Sequence, residues 1–157
     1  MRKVSKFLYF SGMFLLFTSL NFYFSNLFTH KLSQGWQFSN SLLKMIYVEN
    51  TGAAFSILQN STNFLIIISI IALLGIFYYV IKYAKLICIK ELLFLSFLTT
   101  GILGNLYERI FFGYVRDFFN LAFVNFPIFN ISDIFINIGV VGMIVLILLT
   151  KKQIKNI

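Results

Sequence analysis

Apolar residues in this chain come in long blocks bounded by charged or turn-forming residues, without the stripe of a surface helix or the alternation of a half-buried strand. The blocks cover residues 7–28, 64–81, 92–107 and 131–150. About twenty helical residues rising 1.5 Å each cross the roughly 30 Å hydrocarbon layer of a bilayer, so the pattern predicts four membrane-spanning helices. The third block reaches that length only by continuing past Tyr107. A cleaved leader competes for the first block. Its apolar run, however, exceeds the usual length of about 7–15 residues and no small-residue cleavage site follows, so a retained span is expected.

Two larger segments, residues 30–63 and 108–130, lie between spans. The first carries stretches of β-like character at residues 36–38 and 42–48, followed by the turn signal Asn50-Thr51-Gly52. The second mixes Gly113, Tyr114, Asn125 and Pro127 with many aromatics, as expected of a chain lying at the headgroup level. The expected fold is mainly α: a polytopic membrane protein of four transmembrane helices with a small extracytoplasmic β-containing cradle and loop, one domain over residues 1–157.

Composition agrees, with 59% hydrophobic and only 11% charged residues, against roughly 25% charged in an average soluble domain. The net charge of +8 does not point to nucleic acid, because Lys and Arg sit at block edges and not in a continuous stripe. Their placement orients the chain instead. Arg2, Lys3 and Lys6 precede the first span, Lys82, Lys85 and Lys90 join the second to the third, and Lys151, Lys152 and Lys155 follow the fourth. The other side holds Lys31, Lys44, Arg109 and Arg116, so the positive-inside rule puts both termini in the cytoplasm and both larger segments outside. Cys88, the only cysteine, cannot form an internal disulfide, and neither it nor His30 has neighbours at metal-ligand spacing. A small buried hydrophobe and an interfacial loop residue are the expectations for these two.

The acidic residues are Glu49, Glu91, Glu108, Asp117 and Asp133, and all but Glu91 fall on the outer side. A carboxylate at the bilayer centre costs about 2.5–3.5 kcal/mol on insertion scales, so acids beside apolar spans call for a partner or a function. Asp133 opens the fourth span with Asn130 three residues before it, which fits an N-cap and a first-turn acid as well as a polar site. Asp117 lies among aromatics, with Arg116 or Arg109 as a possible ion-pair partner. Taken together, two carboxyl groups brought close cannot both ionise easily, and one keeps a proton near neutral pH. Such a pair holds a base and an acid at once and can activate water against a peptide bond without a metal or a side-chain nucleophile.

In order and spacing, Asn50-Thr51-Gly52-Ala53-Ala54-Phe55, Gly104-Asn105-Leu106-Tyr107-Glu108-Arg109, Gly113-Tyr114-Val115-Arg116-Asp117-Phe118 and Phe129-Asn130-Ile131-Ser132-Asp133 resemble lipoprotein signal peptidase, or signal peptidase II. The resemblance spans nearly the whole chain. It implies an aspartyl endopeptidase of the bacterial cytoplasmic membrane, with no cofactor, that removes the signal peptide of prolipoproteins ahead of a lipid-modified cysteine; a monomer is expected. It implies Asp117 and Asp133 as catalytic residues on the periplasmic or external face, with Asn50, Gly52, Asn105, Glu108, Arg109 and Asn130 in supporting positions. Prolipoproteins and membrane lipids are the implied partners.

Two departures from the family pattern stand out. Glu108 replaces the usual Asp before Arg109, and Asn21 and Ser25 stand where the first span usually carries an Asp and a Lys. Two other classes fit parts of the sequence: a small ion-pathway subunit using intramembrane acids, and an inactive relative that only holds membrane precursors.

Overall fold

The computed structural model describes residues 2–53 and 57–155, with side chains through Lys151. Ala54 and Phe55 of the first motif, and the side chains of Lys152 and Lys155, lie outside the described residues. The helices are α1 (Lys3–Ser33), α2 (Thr62–Tyr83), α3 (Ile89–Phe112) and α4 (Ile131–Lys155). All four are long and apolar enough to cross a membrane.

The third span does continue past Tyr107. It ends where Gly113, at φ +83°, takes the left-handed conformation that closes a helix, its N–H donating to the Arg109 carbonyl. Its start is fixed by a capping box, in which Cys88 Sγ accepts from the Glu91 N–H (3.4 Å) and Glu91 Oε2 accepts from the Cys88 N–H (3.2 Å). Cys88 is therefore exposed at a helix end, contrary to the buried hydrophobe expected. His30 likewise sits in the last turn of α1 and not in a loop.

Helix α3 is the centre of the bundle, packed against α1, α2 and α4. The α3–α4 seam is close because it is built on glycine. A Cβ on Gly101 would strike the Ser132 carbonyl, and one on Gly139 would lie 2.7 Å from the Leu98 nitrogen. At the basic end, Lys6 Nζ donates to the carbonyls of Lys85 (2.9 Å) and Ile87 (2.6 Å), above a core of Phe10, Val80, Ile87, Leu92 and Leu95. The N-terminus and the α2–α3 turn thus share one end of the bundle.

At the other end β1 (Phe38–Ser39), β2 (Leu43–Asn50) and β3 (Val115–Leu121) form an antiparallel sheet in that order. The first two strands follow the β-like stretches of the sequence. The third falls where an irregular headgroup-level chain was expected, because pairing with β2 satisfies the backbone of an aromatic segment that has little water to turn to. Met45, Phe118 and Phe119 form a buried cluster that packs against Phe28, Leu32 and Phe129, and β3 is covered on both faces. In register, Val48 lies opposite Asp117 and Asn50 opposite Val115.

Candidate active site

Asp117 arrives on β3 and Asp133 on the first turn of α4, and both line one cavity of about 330 Å³. Asn50, Ala53, Asn105, Arg109 and Asn137 also line it, under a cover running from Phe126 to Phe129. Asp117 is buried to 2% exposure. Its two oxygens each accept one amide hydrogen bond, from Asn50 Nδ2 to Oδ2 (2.9 Å) and from Asn130 Nδ2 to Oδ1 (2.9 Å). Burial is the largest influence on its acidity and the Asp133 charge the next. Together they outweigh the two amide bonds and raise its pKa from 3.8 to about 7.

Asp133 is held by Asn105 Nδ2, which donates to its Oδ1 at 2.9 Å. The Asn130 backbone N–H donates to Oδ2 (3.1 Å), while the Asp133 N–H donates back to Asn130 Oδ1 (3.0 Å). Asn130 and Asp133 thus cap the start of α4 reciprocally, and Asp133 also lines the cavity. Because Asn130 Nδ2 also reaches Asn105 Oδ1 (3.1 Å), this one amide ties Asp117, Asp133 and Asn105 into a single network.

The remaining supporting residues divide. Asn50 is aimed by its own turn, its Oδ1 accepting from the Gly52 N–H at 2.9 Å. Gly52 is required there, since a Cβ would come 2.9 Å from the Ile57 carbonyl where the loop closes. Arg109 Nη2 donates to the Gly52 carbonyl (2.8 Å), so it holds the turn and faces the cavity without bonding either aspartate. Its Nε is buried with no partner among the described residues.

Glu108 turns away from the cavity. Its Oε1 accepts from Arg116 Nη2 (2.7 Å) and Nε (3.0 Å), and its Oε2 from the Arg116 backbone N–H (2.7 Å). Arg116 is thus the partner of Glu108 and not of Asp117, and neither arginine forms the ion pair that the sequence allowed for that aspartate. The guanidinium stacks 4.7 Å from the Phe112 ring and reaches Asn26 Oδ1 on α1 (3.4 Å). Sequence reasoning missed this clasp; its one signal, two opposite charges among aromatics, does not choose between Glu108 and Asp117 as the partner of Arg116.

The departure in the first span also has a structural answer. Asn21, 1% exposed, donates from Nδ2 to Ser132 Oγ (2.9 Å) and accepts from it at Oδ1 (3.3 Å). A neutral pair of hydrogen bonds joins α1 to the turn that carries Asp133, and Gly104 leaves the room for it.

Comparison with known proteins agrees with this architecture. A family model described as Signal peptidase (SPase) II matches residues 7–149. The lipoprotein signal peptidase of Enterococcus faecalis is 35% identical over 80% of this chain and 77% of its own length. That of Clostridium novyi is 39% identical over 65% of this chain and 70% of its own. A bacterial membrane enzyme solved at 2.3 Å resolution superposes with a TM-score of 0.78 at 30% identity, covering 90% of this chain and 91% of the other. A second, solved at 1.9 Å, gives 0.72 at 31% identity over 87% and 93%. Sequence match and shared fold extend over nearly the whole length, and the chain belongs to the signal peptidase II family of membrane peptidases.

Proposed function

We propose that this chain is an aspartyl endopeptidase that cleaves prolipoproteins on the amino side of their lipid-modified cysteine, with Asp117 and Asp133 as the catalytic pair. The observation that carries this is the joining of both carboxyl groups through Asn130 in one cavity. The ionised member takes a proton from water as the water oxygen bonds to the scissile carbonyl carbon. The protonated member hydrogen-bonds the carbonyl oxygen as charge develops there. Collapse breaks the carbon–nitrogen bond, the leaving nitrogen takes the proton that the first aspartate drew from water, and the signal peptide departs with a new carboxyl group, leaving the pair with one proton again.

The enzyme works as one copy, since both acids and all their amide partners come from one chain. It sits in the bacterial cytoplasmic membrane with both termini inside and the site outside. Support for this orientation is the basic end of the bundle, where Lys6 meets the turn carrying Lys85. Residues 1–157 act as a single membrane peptidase domain.

The test is lipoprotein maturation in a bacterial strain lacking its own enzyme. Wild type restores mature lipoprotein, whereas Asp117→Asn and Asp133→Asn abolish it while remaining in the membrane. Processing at the wild-type rate by either variant removes that residue from the pair.

A further inference from the structure

A second cavity, of about 700 Å³, meets the first at Asp117 and shares Asn50 and the 126–128 cover with it. The first is walled by α3 and α4, whereas the second follows the ends of β2 and β3 and is lined by Thr51, Gln59, Asn120 and Asn125. The amides of the two cavities are used differently. Those of Asn50, Asn105 and Asn130 are committed to the aspartates. Those of Gln59, Asn120 and Asn125 have no hydrogen-bond partner among the described residues.

We infer that this polar groove binds the mature side of the substrate, the residues immediately after the cleaved bond, as an extended chain recognised through its backbone. The assignment rests on the peptidase reading above. A polypeptide main chain presents an N–H and a C=O at each residue, and each needs a partner once water is displaced. A side-chain amide offers both a donor and an acceptor, so three of them beside a hydroxyl match an extended chain whatever its side chains. An apolar signal segment would leave those amides unpaired and fits the helix-walled cavity, with its Val115 and Ile136. Among the described residues no Lys or Arg lines the groove, while Glu49 and Asp117 do, so it is not built for an acidic ligand. Specificity for the precursor therefore lies on the membrane side, while the groove gives affinity to mature sequences of many kinds.

The experiment compares two synthetic lipopeptides with the same signal segment and diacylglyceryl cysteine. One ends at the cysteine amide and the other continues through six uncharged residues. Wild-type enzyme in lipid nanodiscs is expected to show a lower KM for the longer peptide. The Gln59→Ala, Asn120→Ala, Asn125→Ala variant should raise that KM about tenfold, the scale of one or two net hydrogen bonds. Its kcat and its KM for the short peptide should stay at wild-type values. Because Asn120 is part of β3, the Gln59→Ala, Asn125→Ala variant at exposed positions is run beside it and should show the same selective rise, smaller in size. Equal losses on both peptides, or no change on either, overturn the assignment, as does a wild-type KM that ignores peptide length. Cleavage of neither peptide by wild type overturns the peptidase reading and the groove with it.

Discussion

The Glu108–Arg116 clasp can be broken from one side and repaired from the other. The two side chains are 7% and 9% exposed, so the small value of a surface ion pair, about 0–1 kcal/mol, does not apply. Glu108→Ala removes three acceptor contacts and leaves a guanidinium and the Arg116 backbone N–H buried against Phe112 with little but Asn26 to receive them. Deleting one partner of a buried pair costs about 3–5 kcal/mol. That range is the expected loss in equilibrium unfolding, followed in mixed micelles. Replacing both residues, as Glu108→Met with Arg116→Met, removes the stranded charge and should recover most of it. Cleavage should drop further than stability alone explains, because Arg116 precedes Asp117 on β3 and its backbone bond to Glu108 fixes that strand. A displacement of about 1 Å at a reacting group can cost roughly a hundredfold in rate. A loss below about 1 kcal/mol for Glu108→Ala, or a double variant no better than the single one, would falsify the clasp as a support of the site.

Four other outcomes are expected. The kcat/KM should fall with rising pH through an inflection near the Asp117 pKa of about 7, as the pair loses its last shared proton; a rate that climbs through that pH to a plateau would mean the acid is not needed. The same raised pKa makes the folded protein hold a proton that the unfolded chain releases, so stability should decline as pH rises from 3.8 to about 7, read by melting temperature across a buffer series. Gly104→Ala puts a methyl group against Asn21 and Ser132 and should lower stability by about 1–3 kcal/mol in the same unfolding assay. Asn130→Ala loosens both aspartates at once and should cost about a hundredfold in kcat in single-turnover cleavage, with membrane insertion unchanged by protease accessibility.

The spans were legible because lipid imposes one requirement, about twenty apolar residues in a row, and the charges at their edges state the ends. Strand β3 was not, since Val115 to Leu121 carries no alternation: the interior takes Asp117 on one face and Phe118 on the other. The two acids could be singled out for their rarity, and Asn130 for its spacing from Asp133. What spacing could not give was the choice of partner. Arg116 and Asp117 are adjacent, yet strand geometry sends them to opposite faces, one to Glu108 and the other to Asn50. The answer to the missing first-span ion pair was equally hidden, because Ser132 lies 111 positions from Asn21 and only the bundle brings them together.

The use of amides around these acids is what the proposed mechanism, with one proton shared by the pair, demands. A guanidinium or ammonium bonded to either carboxylate would favour its charged form and pull the pair toward double ionisation. An asparagine donates a hydrogen bond without adding charge, so it can orient a carboxyl group and leave the proton shared. The arginines near the site are arranged accordingly. Arg116 is held by Glu108, and Arg109, though it lines the cavity, donates to the carbonyls of Gly52 and Asn105. Each cation is thereby occupied with structure at the edge of the site while neutral donors hold its centre. The same logic explains why Asn21 can stand without a charged partner: a buried Asn–Ser pair joins two helices in a medium where an unpaired Asp would be far more costly. In both places the chain meets a positional need with a neutral hydrogen bond, and the charges of Glu108 and Arg116 are spent on each other behind the site.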